Sequence, residues 1–302
     1  MKHFHFYLLL ASSLLLSHSS AFSQTDGEHK LFSPKEQPKR LSAAFSFTEG
    51  PAVDAKGNVF FTDQPNNRIM RWNSKKGTIS NYLEPAGRAN GLFFDPAGNL
   101  YACADAKNEL WKISPDKTVQ VLIKDFRGKK LNGPNDLWID TKGGIYFTDP
   151  FYQRKYWTRS EKEIPEERVY YFAPDSTLRI AASDFERPNG IIGTADGSLL
   201  YVADIKAQKT YRFQIQADGS LSNRQLHCEM GSDGMTLDSE GNLYLTGDGV
   251  TVFSPEGEQI AHIPIPENWT ANVTFGGKNR KTLFITAMGS VYALKMKVKG
   301  QR

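Results

Sequence analysis

Residues 49–63 read EGPAVDAKGNVFFTD. An acidic residue stands first, a short apolar run follows, an Asp-x-x-Gly turn interrupts it, and a β-branched and aromatic run ends on Asp63. That order is strand, tight turn, strand. The phrase returns five times. Asn90 leads GLFFDPAGNLYACAD, Asn135 leads DLWIDTKGGIYFTD, and Asn189 leads GIIGTADGSLLYVAD. Asp233 leads GMTLDSEGNLYLTGD, and Asn272 leads VTFGGKNRKTLFITA. The intervals between the lead residues are 41, 45, 54, 44 and 39. A four-stranded propeller blade takes about 40–50 residues. A third β-rich run follows in most units, as in Arg68–Trp72, Glu109–Ile113, Val169–Phe172 and Thr210–Phe213. A fourth, variable run closes each. The expectation is an all-β, six-bladed β-propeller over residues 41–302, with Leu41–Phe47 pairing to the last blade and closing the ring.

Two polar positions recur. Asp63, Asp105, Asp149, Asp204 and Asp248 end the second strand of five blades. Asp54, Asp95, Asp140 and Asp238 precede the glycine of the first hairpin. Both sets are read as structural, because Asp readily bonds local backbone and chemistry does not need five copies. The lead residues differ. Glu49, Asn90, Asn135, Asn189, Asp233 and Asn272 all carry side-chain oxygen where the innermost strands converge on the channel. Asn before Gly is also a common turn choice, which would account for Asn90 and Asn189, but Glu49 is not a turn former. Oxygen donors arriving from separate blades suit a hard cation such as calcium, and the set holds no His or Cys.

The first residues point to export. Lys2 precedes a run from Phe6 to Leu16 that only Ser12 and Ser13 interrupt, and Ala21-Phe22-Ser23 has small residues at the cleavage positions. Residues 1–23 are expected to be a signal peptide, with 24–40 a linker and the mature protein periplasmic or secreted. The apolar run is shorter than the ~20 residues a membrane span needs, so no span is expected in the mature chain. Net charge is +4 over 302 residues, or +3 without Lys2, with signs interspersed. Nucleic acid is therefore not an expected partner. Cys103 and Cys228 are read as separate buried thiols.

The motifs FTEGP (47–51), LNGPND (131–136), YFTDP (146–150), RPNG (187–190), SDGM (232–235) and NVTFGG (272–277), in order and at blade spacing, resemble the gluconolactonase, regucalcin and luciferin-regenerating-enzyme family. Diisopropyl fluorophosphatase is a more distant likeness. The resemblance runs from about Leu41 to the end. It implies one divalent metal in the channel, held by Glu49, Asn135, Asn189 and Asp233. Calcium is the first expectation, with zinc, manganese or magnesium as alternatives. Asn90 and Asn272 become channel neighbours. Regucalcin-like members carry an Arg two positions before the third-blade Asn. Gly133 stands there in this chain, which puts their sugar preference in doubt here.

The implied chemistry is opening of a small-molecule sugar lactone by metal-activated water. Asp233 is the candidate catalytic residue, relaying the proton. No Ser or Cys with a partnered His is evident, so a triad is not expected. Asn90, Asn132, Asn272, Arg187 and Tyr152 are candidate substrate contacts. The long third interval holds an insertion, Phe151–Arg168, rich in aromatic and charged residues and read as a lid or pocket wall. The alternatives are an esterase or phosphotriesterase-like hydrolase, or a binding propeller whose metal only holds the channel together.

Overall fold

The computed structural model describes residues 30–301, so the expected signal peptide lies outside the described residues. Six four-stranded antiparallel sheets succeed one another around a ring, the six-bladed propeller expected from the repeat. Blade 1 is Thr48–Val53, Val59–Asp63, Arg68–Asn73 and Thr78–Leu83, from the channel outward. The innermost strands of blades 2 to 6 are Ala89–Phe94, Leu137–Ile139, Pro188–Gly193, Met235–Leu237 and Thr270–Gly276. No helix among the described residues is long and apolar enough to cross a membrane. Cys103 and Cys228 are free and buried, and burial pushes the Cys228 thiol up to about 11.

The two sets of aspartates explain how each blade keeps its shape. In the first hairpin of blade 1, Asp54 Oδ1 accepts the amides of Lys56 and Asn58 at 2.9 and 2.8 Å, and Oδ2 accepts from Asn58 Nδ2. Asp95, Asp140 and Asp238 likewise take hairpin amides. The strand-end aspartates staple the chain entering the blade. Asp63 takes the amides of Ser46 and Phe47, Asp149 those of Asn132 and Gly133, and Asp204 those of Glu186 and Arg187. Blades 2 and 5 depart from this. Asp105 serves the insertion, and Asp248 is exposed.

The ring closes earlier than expected. The strand that pairs with the outer side of Ser290–Lys295 is Lys39–Ser42, so of the expected Leu41–Phe47 only Leu41 and Ser42 belong to it. The ladder ends at Ser42; beyond it the Phe45 amide still donates to the Gly289 carbonyl of the last blade at 3.2 Å, while Asp63 takes the amides of Ser46 and Phe47 for blade 1. Packing also begins inside the segment read as a linker. Leu31 and Phe32 are buried against Tyr244, Phe275 and Met296.

Asp149 gives a pH-dependent test of the staple. Burial lifts its carboxyl to about 7, against the pull of the two amides it accepts. The folded chain therefore holds this proton more tightly than the unfolded chain, whose Asp titrates near ~3.9. Its stabilising contribution is complete below about pH 4 and is lost as pH rises through about 7. Chemical denaturation of the wild type and Asp149→Asn at pH 5 and pH 8 reads this. The wild type's advantage over the variant shrinks at pH 8, and an advantage that does not change with pH contradicts the assignment.

Candidate active site and metal centre

Four innermost strands break register at their lead residues. The ladder slips between Glu49 and Ala52, Ala89 and Leu92, Pro188 and Ile191, and Thr270 and Asn272. Asn135 and Asp233 lie just ahead of the two short innermost strands, outside the ladder. A bulge re-aims side chains, and here it turns the lead residues out of the sheet's alternation. The backbone groups freed by the bulges are satisfied across the ring. Thr62 Oγ1 donates to the Asn90 carbonyl at 3.2 Å, Thr148 Oγ1 to Asn189 at 2.7 Å, and Thr246 Oγ1 to Ala271 at 2.8 Å. The Gly91 amide donates to the Asn135 carbonyl at 2.7 Å.

The glycine after the lead residue is not there for a tight turn alone. A Cβ on Gly50 would lie 2.1 Å from the Asn90 carbonyl oxygen, and one on Gly91 would lie 2.4 Å from Asp136 Oδ1. One on Gly234 would overlap the Asn272 side chain. Each missing side chain is the space the next blade's lead segment occupies, so the ring contracts until the polar groups meet.

Those groups form a connected set. Asn189 Nδ2 donates to Asp233 Oδ1 at 2.8 Å and to the Tyr152 hydroxyl at 3.0 Å. Trp269 Nε1 donates to Asp233 Oδ2 at 2.7 Å. Glu49 is buried, and burial first, then the charge of Asp233, pushes its carboxyl well above the usual range. Burial also raises Asp233, against the hydrogen bonds from Trp269 and Asn189. Asn272 Nδ2 reaches Asp136 Oδ2 at 3.4 Å. Asn90 and Asn135 are buried, and their side chains make no hydrogen bond to the described residues.

Asp136 was not among the expected site residues. It is buried behind Asn272, and desolvation lifts its carboxyl to about 7. One signal was available: blades 1, 2, 4 and 5 have Gly after the lead residue, and blade 3 has Asp. Asn132 is placed elsewhere than at the channel. It is fully buried, and its amide donates to the Glu166 carbonyl at 3.0 Å, at the root of the insertion.

The donor set suits a hard divalent cation. Asn189 Oδ1 is buried without a hydrogen-bond partner, and Asn135 is unengaged. Two carboxylates are held close at a cost in desolvation that a cation between them would offset. Among the described residues no group of three or more His, Cys, Asp or Glu could hold a metal, so the rest of any coordination shell would be neutral oxygen, from Asn amides, backbone carbonyls or water. The far half of the channel, on the other side of Asp136 and Asn272, is a cavity of about 360 Å³ lined mainly by apolar residues such as Leu92, Trp138 and Phe275.

The insertion lies against blades 2 and 3. Its last two residues belong to the third strand of blade 3, Glu167–Phe172, so the loop ends at Glu166. Asp105 Oδ2 accepts from Arg154 Nε at 3.0 Å and from the Tyr156 hydroxyl, and its carbonyl accepts from Trp157 Nε1 at 2.7 Å. Arg159 donates to the carbonyls of Leu131 and Asn132. A side chain at Gly133 would meet the Trp157 ring at 3.1 Å, so the insertion fills the space that residue leaves. Charge-assisted hydrogen bonds contribute about 1.5–3 kcal/mol each. Asp105→Ala should therefore raise trypsin cleavage within the insertion at least about tenfold. Cleavage at the wild-type rate would mean that Asp105 is not the latch.

A model of the SMP-30/Gluconolactonase/LRE-like region matches residues 47–289. A gluconolactonase of Zymomonas mobilis is 28% identical over 291 residues, covering 86% of this chain and 81% of the relative. A diisopropyl-fluorophosphatase of Loligo vulgaris is 28% identical, covering 79% and 84%. The solved structure of a Xanthomonas campestris gluconolactonase superposes with a TM-score of 0.83 at 27% identity, covering 90% of this chain and 93% of its own.

Proposed function

The chain belongs to the SMP-30/gluconolactonase/LRE-like family, and on that premise we propose that it is a hydrolase that opens a sugar-derived lactone at the channel mouth with one divalent cation, calcium by preference. The observation that carries this reading is the pair of desolvated carboxylates, Glu49 and Asp233, beside the unpartnered buried Oδ1 of Asn189. Glu49, Asn135, Asn189 and Asp233 would hold the cation. When bound, it polarises the lactone carbonyl and lowers the pKa of water.

The chain's own groups do the rest. Trp269 and Asn189 each hold one oxygen of Asp233, which fixes the carboxylate's orientation. Asp233 accepts the proton of the attacking water as the new C–O bond forms. The ring C–O bond then breaks, and the proton passes from Asp233 to the leaving alkoxide. The amides of Asn90 and Asn135, which have no hydrogen bond to the described protein, are available to ring hydroxyls. Tyr152, pinned to Asn189, and Arg187 against its ring form one wall and limit access of water. Residues 1–23 support a site of action outside the cytoplasm.

A proton-release assay tests the reading, using aldonolactones, aryl esters and an organophosphate, with the protein stripped by chelator and then given calcium, zinc, manganese or magnesium. Lactone opening that chelator abolishes and calcium restores is expected. Lactone opening indifferent to chelator refutes the cation, and turnover of only the organophosphate favours the second reading, for which the Loligo vulgaris relative speaks.

A further inference from the structure

We propose that the lactone taken by this site carries an anionic substituent, a carboxylate or a phosphate, that Arg154 and Arg187 grip at the channel mouth. The inference rests on the lactonase reading and goes further by naming the substrate class. Both guanidinium groups face one ring, that of Tyr152, at 5.6 and 4.9 Å from its centroid. The hydroxyl of that ring bonds Asn189, which bonds Asp233. Two cations therefore stand within one aromatic side chain of the carboxylates.

Their hydrogen-bonding capacity is almost unused. A guanidinium has five N–H donors. Arg154 donates through Nε to Asp105, and its terminal amino groups meet no acceptor among the described residues. The Arg187 side chain makes no hydrogen bond among them. Its nearest acid, Glu167, is 3.8 Å from Nε and is shared with Lys162 at 2.5 Å. Both side chains keep an open face, with relative exposures of 26% and 35%. Arg88, over the Tyr156 ring at 4.4 Å, and Arg159 add positive charge around the same insertion. Asp105, Asp149 and Glu163 act on Arg159, and Glu167 lies between Lys162 and Arg187, so the unanswered donors are the terminal amines of Arg154 and Arg187. A planar fork with free terminal amines matches a carboxylate or a phosphate in two parallel hydrogen bonds. A neutral sugar would leave both forks unanswered.

The arrangement also sets a direction. With the anion held at the arginines, the rest of the molecule is directed past Tyr152 towards Asn189 and Asp233. The charge then sits at the mouth and the ring ester at the carboxylates.

Initial rates for a neutral aldonolactone, the same lactone with a 6-phosphate, and an aldarolactone with a 6-carboxylate test the proposal. At least one anionic lactone should exceed the neutral one in kcat/KM by about tenfold or more, as one added charge-assisted contact implies. Whichever anion leads identifies the source of the charge. Arg154→Gln and Arg187→Gln should bring the anionic-to-neutral ratio towards one, Arg154→Lys should restore part of it, and raised salt should compress it. Melting temperatures within a few degrees of the wild type guard against loss of fold. A wild-type ratio of one or below overturns the proposal. If no lactone is opened, the hydrolase reading fails, and calorimetric titration with inorganic phosphate decides the anion site. Binding lost in the Arg154→Gln/Arg187→Gln double variant supports the site, and no binding to the wild type overturns it.

Discussion

Glu49→Gln lowers lactone opening by more than about 100-fold, because loss of groups that only support a metal ligand already costs about 10–100-fold. The same change does not weaken the cation-free fold. Burial and the neighbouring Asp233 disfavour a charge on Glu49, so a neutral amide of the same shape removes a repulsion. Calcium separates the two states. At a hundred times its dissociation constant a cation adds about 2.7 kcal/mol to the folded wild type, or about 5–10 °C in melting temperature for a chain of this size. The variant shows no such rise. A variant that keeps both its activity and its calcium response would show that Glu49 holds nothing.

Gly50→Ala lowers stability by about 2–5 kcal/mol, through two effects that can be separated. The backbone at Gly50 has φ 42°, in the left-handed region, where a Cβ costs roughly 1–2 kcal/mol. That Cβ would also lie 2.1 Å from the Asn90 carbonyl oxygen and 2.6 Å from Gly91 Cα, so two blades must move apart, at about 1–3 kcal/mol. Gly77→Ala is the control. Gly77 has φ 70°, and a Cβ there meets nothing within 4 Å, so only the backbone cost remains. Equal destabilisation of the two variants, by urea denaturation, would contradict close approach of the blades as the reason for Gly50.

The six-blade ring was legible because its signal is local. Each Asp54-type hairpin and each strand run lies within one short phrase, and the phrase repeats. The departures are where a distant group takes over. Leu41–Phe47 reads as one strand, but the ladder ends at Ser42, and the amides of Ser46 and Phe47 go to Asp63 in another blade. Asp105 looks like its counterparts Asp63 and Asp149, yet the insertion from blade 3 has taken its carboxylate. The site was partly legible in the same sense. The six lead residues stand out by type and interval, and the structure brings Asn189 and Asp233 into direct contact. Asn-Gly pairs resembled turns because the group that needs the glycine's space comes from the next blade, more than forty residues on. Asp136 differs in the sequence only by standing where four other blades have Gly; its contact with Asn272 and its burial come from the closed ring.

Anomalous scattering from a crystal of the protein loaded with manganese or calcium tests the metal centre most directly. One peak should lie in the channel, about 2.0–2.6 Å from oxygens of Glu49, Asn135, Asn189 and Asp233, and it should vanish in Glu49→Gln. A channel without a peak in protein that opens lactones, or a peak held by other residues, contradicts the assignment.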